Sequence, residues 1–331
     1  MARELSLDHR LWIVENLLAG VDEAALVKTL AKQLSRTRAK REVRAIATSP
    51  LLAVCGQLAR RTRRLELAHA LGRAHASAEP LPTHIERRTT PSADEFFRHY
   101  WGAHRPVVLT DVTAKWPALR KWTPAWFAKT LGDVTIEITA GREADPNYDA
   151  NFRAHRKRVR LDRFIEQIQA AGTTNDIYMV SNNHTMKRPR FAALLRDVKP
   201  PRALFEPLRA IATSLWIGPA GTITPLHHDT TNILFCQIYG RKRIELVSPH
   251  ETALLLDPDG FYSPVDLDEP RGHAALRTMT VKSVVVDPGD ALYIPAGWWH
   301  RVTSLDVSIS FSLLGFRRPN DFDWYRPGHV A

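Results

Sequence analysis

Residues 221–229 read GTITPLHHD, and residues 287–300 read DPGDALYIPAGWWH. Together they supply His227, Asp229 and His300, a His-x-Asp pair and one distant His. Two histidines and one carboxylate on one face of a metal leave positions open, the ligand set of non-haem Fe(II) oxygenases. A structural zinc site would instead be closed by four protein ligands, so zinc fits this set less well.

The spacing has a mechanical reading. Side chains of a strand alternate faces, so His227 and Asp229 point one way and His228 the other. The third ligand must come from a distant strand folded back alongside. The segment before His300 reads as an apolar strand, a Pro-Gly-Asp turn, a second apolar strand and a Pro/Gly loop. Residues 307–313 alternate apolar and small polar residues, predicting a half-buried strand with Ser308, Ser310 and Ser312 on one face. An isolated His-x-Asp is usually a surface accident. Its placement between strand-like segments, matched by a second His in a similar context, makes His227, Asp229 and His300 the candidate metal ligands.

From about Glu86 onward the chain resembles the Jumonji C, or cupin-8-like, family of Fe(II)- and 2-oxoglutarate-dependent hydroxylases, which includes the asparaginyl hydroxylase factor inhibiting HIF. The matching stretches are residues 104–122 (HRPVVLTDVTAKWPALRKW), 221–229, 235–249 (FCQIYGRKRIELVSP), 287–300 and 306–312 (DVSISFS). The resemblance implies a double-stranded β-helix, a jelly-roll barrel with flanking helices in an α+β fold. It also implies Fe(II) as metal and 2-oxoglutarate as co-substrate. By position, Thr224 (three residues before the first metal His), Lys242 (fifteen after it) and Tyr178 on an earlier strand would hold the co-substrate. A buried dicarboxylate needs a compensating cation, and alternation turns Lys242 away from Arg241 and Arg243. Relatives often carry an asparagine six residues after the first metal His. Here Asn232 comes five residues after it, so it joins the candidate co-substrate contacts only if a bulge turns it inward. Serines in DVSISFS replace an asparagine seen in some relatives.

The 331 residues suffice for one large domain and a smaller one. Residues 1–78 read as a helical domain and 79–331 as the catalytic domain, with the barrel core at about 214–314. In the first part, Leu7, Leu11, Val14 and Leu18 form a helical stripe, Gly20 ends it, and Asp22 caps a second helix striped by Leu26, Leu30 and Leu34. A third segment carries Ala39, Val43 and Ile46. A longer fourth begins near Pro50 with Leu51, Cys55, Leu58, Leu65 and Ala68.

The net charge is +11. Residues 28–75 hold twelve Lys and Arg against Glu42 and Glu66, which is +10 in that span. An acidic partner or substrate would be steered by such a face, and a solvated surface would show the same charge. Nucleic acid is a weaker expectation, because no aromatic-interleaved RNA-binding motif is present. Two cysteines in apolar contexts, Cys55 and Cys236, suggest buried free thiols and a reducing cytoplasm. No apolar run of membrane-spanning length occurs.

The expected activity is hydroxylation of a C–H bond, most simply on a protein or peptide side chain. The alternatives are an RNA base hydroxylase, a methyl-lysine demethylase and a non-enzymatic cupin scaffold. Residues 140–157 are a candidate substrate loop, with Asp145, Asn147 and Tyr148 as contacts; Asn182 and Asn183 are further candidates.

Overall fold

In the computed structural model, residues 5–78, 84–180, 185–251, 262–268 and 279–320 are described here. Asn182 and Asn183 lie outside them. The chain divides into two compact units, residues 1–80 and 81–331.

The first unit contains four helices: α1 Leu7–Leu18, α2 Glu23–Leu30, α3 Arg36–Ala47 and α4 Pro50–Ala78. Each of the first three opens on a polar cap. Ser6 and Ser35 accept from backbone N–H groups three residues on, and the Asp22 carboxylate accepts from Ala25 N at 2.7 Å. Leu26, Leu30, Ala39 and Val43 make the small core, as their spacing predicts. The stripe read in α1 is not the buried one. Ile13 is buried, with Trp12 and Leu17 packed beside it, whereas Leu7 and Leu11 are exposed. Both faces of α1 carry leucines, so periodicity alone could not choose between them. In α4, Leu51, Leu58 and Leu65 are exposed, and Cys55 is an exposed free thiol, not a buried one. Cys236 is buried as expected.

The second unit is built on two facing sheets. Its strands are β1 Glu86–Arg88, β2 Val107–Leu109, β3 Thr135–Ala140, β4 Arg156–Arg160, β5 Ile177–Tyr178, β6 Thr213–Gly218, β7 Ile223–His227, β8 Ile233–Tyr239, β9 Lys242–Val247, β10 Val281–Val286, β11 Ala291–Ile294, β12 Trp299–Ser304 and β13 Ser308–Leu313. The larger sheet runs β1-β2-β11-β8-β13-β6 and the smaller β10-β9-β12-β7. A third, β4-β3-β5, stands beside them. The paired sheets are the jelly roll that the resemblance implies, built of mostly antiparallel strands.

Alternation explains which residues go where. In β8, Ile233 and Phe235 face the barrel interior beside Ile244, Leu246, Leu292 and Val302. Leu234, Cys236 and Ile238 face the other way, into a core shared with Phe127 and Phe164 of the helices Pro124–Leu131 and Leu161–Ala170. Because helices cover that outer face, β13 is buried on both sides, not half-buried as its pattern suggests. Ile309 and Phe311 join the helix-facing core. Ser308 and Ser310 turn to the polar interior, where Ser310 donates to the Gln237 side chain at 2.7 Å and Ser308 pairs with Ser304.

The β8–β9 turn depends on Gly240. It lies at φ +65°, and a Cβ there would come 2.1 Å from Val307 O. Both the left-handed backbone and the close approach exclude a side chain. Gly240→Ala is expected to destabilise the barrel by at least roughly 1–2 kcal/mol, measured as a fall of a few degrees in Tm; an unchanged Tm would contradict the geometry.

Candidate metal centre and co-substrate pocket

β7 and β12 pair antiparallel with His227 directly opposite His300. Their rings stand 4.2 Å apart, centroid to centroid. Asp229 lies two residues past the end of β7, so the strand itself delivers only one ligand. Its backbone is held by Gly297 N, which donates to Asp229 O at 2.8 Å. The Asp229 carboxylate then reaches both histidines, 3.5 Å from His300 Nε2 and 4.0 Å from His227 Nε2. The three ligand atoms all fall within 4.8 Å of one another.

Both imidazoles are oriented by their own backbone. His227 Nδ1 lies 2.8 Å from Pro225 O, and His300 Nδ1 lies 2.9 Å from Trp298 O. A carbonyl can only accept, so each Nδ1 carries a proton and Nε2 is the ring atom turned towards the other ligands. Burial, reinforced by His227, lowers the His300 pKa to about 4, which keeps it neutral and able to ligate. Two converging imidazoles and one carboxylate, three protein donors that leave further positions open, fit Fe(II). His228 points outward and packs on Trp299 at 4.7 Å.

The cavity beyond the ligands is lined by Tyr178, Thr224, Lys242 and Ser312, with Trp216 and Phe235 as apolar walls. Lys242 is fully buried on the interior face of β9 and donates from Nζ to the Tyr178 hydroxyl at 2.9 Å. Thr224 is in hydrogen-bonding reach of the same phenol. Burial, with Arg142 adding repulsion, lowers the Lys242 pKa to about 7. A lysine so placed gains strongly from an anionic partner. The Ser312 hydroxyl is buried there with no hydrogen-bond partner among the described residues, a second sign of a polar ligand in the cavity.

Thr224 faces inward for a reason that alternation does not contain. His300 pairs with His227 but Val302 pairs with Thr224, so β7 carries one extra residue opposite β12. That bulge brings Thr224 onto the face of His227. Pro225, which has no N–H to contribute to a ladder, falls within it.

Asn232 is not brought to the pocket. Its side-chain oxygen accepts from Tyr293 Oη at 2.8 Å and Ala296 N at 3.1 Å, and its amide donates to Asn320 at 2.9 Å. With no bulge to turn it inward, it ties the Pro/Gly loop before His300 to the end of the barrel. It is therefore corrected from a co-substrate contact to a brace. In the 140–157 loop, Asp145 and Asn147 hold the loop itself. The Asp145 carboxylate accepts from Asn147 N and Asn151 Nδ2 and pairs with His155, which keeps its pKa down at about 2. Tyr148 turns inward instead, donating to Ile223 O at 3.1 Å.

Two residues near the site carry no motif in the sequence. Tyr262 lies in a bridge opposite His227, its ring 5.8 Å from the imidazole. Arg142, wholly buried, lies against Tyr148 and Tyr178. An arginine flanked by strand-like sequence, in a loop already suspected, is too common a pattern to mark either role.

A model of the cupin-like domain matches residues 93–314. The chain belongs to the cupin-like, Jumonji C family. It is 30% identical over 240 residues to a Xenopus tropicalis protein named lysine-specific demethylase 8, covering 70% of this chain and 52% of that protein. It is 29% identical over 243 residues to the Arabidopsis thaliana lysine-specific demethylase JMJ30, covering 69% and 54% respectively. It is also 26% identical over 262 residues to the Danio rerio tRNA wybutosine-synthesizing protein 5, covering 73% of this chain and 76% of that protein. The chain thus spans about half the length of the first two relatives. Jumonji C cupins are Fe(II)- and 2-oxoglutarate-dependent oxygenases, and the donor set described above fits that metal. Among the described residues no helix is long and apolar enough to cross a membrane.

Asp229→Ala is expected to abolish Fe(II)-stimulated 2-oxoglutarate turnover while leaving the far-ultraviolet circular dichroism spectrum unchanged; retained wild-type turnover would remove Asp229 from the ligand set. A pH titration tests Lys242. The folded pocket holds this lysine neutral above about pH 7. A bound carboxylate favours its charged form, so binding there takes up a proton. Affinity for 2-oxoglutarate should therefore weaken as pH rises through 7, by at most about tenfold per pH unit. A binding constant that stays flat from pH 6.5 to 9 would contradict the assignment.

Proposed function

We propose that this protein is an oxygenase that hydroxylates an unactivated C–H bond on a protein or peptide side chain. What carries the reading is the convergence of His227, Asp229 and His300 beside a buried Lys242–Tyr178 pair. A binding scaffold has no need of converging, Nδ1-anchored imidazoles or of a buried lysine awaiting an anion.

Bound Fe(II) would supply O2 activation, coupled to oxidative decarboxylation of 2-oxoglutarate to succinate and CO2. One oxygen atom goes to succinate and the other to the substrate C–H bond. The chain's residues position the reactants. Lys242 Nζ and the Tyr178 and Thr224 hydroxyls hold the distal carboxylate, a charge-assisted arrangement in a dry pocket. Trp216 and Phe235 exclude water from its carbon chain. His227, Asp229 and His300 hold one face of the metal and leave the other to co-substrate and O2. Tyr262 beside His227, and Tyr148 at the Ile223 end of β7, would flank the incoming side chain and orient its reacting carbon.

The same chemistry on an N-methyl carbon yields demethylation, because the hydroxylated product expels formaldehyde. Two of the relatives above carry names of that kind. An RNA substrate is the second reading. It is favoured by the +10 charge of residues 28–75 and by the relative named as a tRNA-modifying protein. Incubating the protein with Fe(II), ascorbate and 2-oxoglutarate against separate peptide and RNA pools, with mass spectrometry of each, distinguishes these readings. A one-oxygen mass gain in peptides supports side-chain hydroxylation. Loss of a methyl group with formaldehyde release moves the activity to demethylation, and modified RNA alone overturns the protein-substrate reading.

Two substitutions sharpen the reading. Lys242→Ala should cost about 3–5 kcal/mol of 2-oxoglutarate binding, because it removes one partner of a buried charge pair. Reversing Arg60, Arg61, Arg63 and Arg64 to Glu should leave substrate-free 2-oxoglutarate turnover intact and reduce kcat/KM for an acidic substrate at low salt, with the difference fading as salt rises. Equal kcat/KM for both proteins at low salt would make the basic helices a solvated surface only.

A further inference from the structure

Arg142 follows β3 directly after Gly141, whose φ of +76° turns the chain back towards β7. Its side chain is wholly buried. Nη2 donates to Ile223 O at 2.7 Å and lies 3.4 Å from Asp149 Oδ1, while Nε and Nη1 have no hydrogen-bond partner among the described residues. The guanidinium carbon stands 4.3 Å from the Tyr148 ring centroid and 5.2 Å from that of Tyr178. Lys242 Nζ approaches the same Tyr178 ring at 5.3 Å. One phenol is thus shared by two buried cations.

The local charge does not balance. Among the described residues Asp149 is the acid paired with Arg142; the contact is long, its other oxygen has no hydrogen-bond partner there, and burial raises its pKa. Lone buried cations are costly, and two within interaction range are costlier. The arrangement is stabilised when a ligand brings more than one negative charge.

We propose that Arg142 is a positioning and specificity-determining residue of the co-substrate pocket. It fixes Tyr178 and the Ile223–Thr224 segment, and its charge makes the pocket select a doubly negative 2-oxo acid over a singly negative one. This inference rests on the 2-oxoglutarate reading of the pocket. The groups that bear on Lys242 are Tyr178 from β5, Arg142 and Asp149 from the loop after β3, and His227, Asp229 and His300 at the metal end. Arg243 and Glu245 alternate away from it on β9.

The test is calorimetric titration of Zn(II)-loaded full-length protein, without turnover, with 2-oxoglutarate and with the monocarboxylate 2-oxopentanoate. Arg142→Gln keeps a donor for Ile223 O but removes the charge. It should weaken 2-oxoglutarate binding about tenfold or more and shrink its preference over 2-oxopentanoate. It should also move the loss of affinity with rising pH to higher pH, because Lys242 no longer faces a second cation. Burial makes a lysine here lose its proton readily, so Arg142→Lys should retain more affinity than Arg142→Gln at about pH 6 and lose that advantage as pH rises. Zn(II) affinity should be the same in all three proteins. If both variants weaken binding equally with an unshifted pH profile, Arg142 acts through packing and the proposal is overturned. Should Arg142→Gln fail to fold, an Arg142→Lys protein whose affinity for 2-oxoglutarate falls no more steeply with rising pH than wild type overturns it equally, because charge is then not what matters. Wild-type protein that binds no 2-oxoglutarate, while still binding Zn(II), would overturn the co-substrate reading and this inference with it. Wild-type binding with an indifferent Arg142→Gln overturns this inference alone.

Discussion

The antiparallel pairing of β7 with β12 is the constraint on which the rest of the site depends. It sets His227 opposite His300, residues separated by 73 positions in the chain. Cross-strand neighbours have Cβ atoms about 5 Å apart, so two imidazoles on one face of such a pair fall naturally within reach of one metal. A one-residue slip would turn one histidine to the opposite face of the sheet. The register is therefore held on several sides. Val302 packs into the barrel interior, Trp299 fills the outer face with Leu226 and Val247, and Arg301 is fixed outside by Glu245 and Asp268 at 2.7 Å each. Inward and outward residues of the single strand β12 thus serve the metal and the fold alternately.

Charge organises the interior beyond the metal. The barrel end near β13 is neutral and self-satisfied, with Ser310 bonded to Gln237, Thr222 to Ser304, and Ser304 to Ser308. Towards the metal the balance changes. Among the described residues Lys242 and Arg142 are buried with few acceptors, and the Ser312 hydroxyl has no partner. Natural interiors seldom leave buried polar groups unpaired, so the concentration of such groups around one phenol marks where a ligand belongs. Gly218 belongs to the same design. A Cβ there would come 2.6 Å from Tyr178 Cδ2, so only glycine lets the ring lie flat beside β6.

The surroundings of the site hold it still. Asn232, through Tyr293, Ala296 and Asn320, braces the loop that leads into His300. Trp298 Nε1 donates to His104 O and anchors the same loop on its other side. The loop after β3 is stiffened by Asp145, Asn151 and His155 and is pinned to β7 where Tyr148 and Arg142 share Ile223 O. Ligands carried on strands and braced loops can be held to the tolerances that oriented chemistry needs.

The family resemblance implied the jelly-roll architecture, while the residues themselves picked out His227, Asp229 and His300 as candidate ligands and turned Lys242 inward. Those assignments rest on local rules: a side-chain period of two, turn chemistry at Pro and Gly, and ligand types that suit one class of metal. The helix starts at Asp22 and Pro50 were legible for the same reason, since caps are local, but the second helix ends at Leu30, short of the Leu34 read into its stripe. Tertiary structure alone decided the rest. The bulge at Pro225 that turns Thr224 inward, the brace formed by Asn232, and the choice of Ile13 over Leu7 and Leu11 in α1 each depend on what packs alongside. Arg142 shows the difference most clearly. Its sequence context is that of any loop arginine, and only the approach of β3, β5 and β7 to one another removes it from water and sets it beside Lys242.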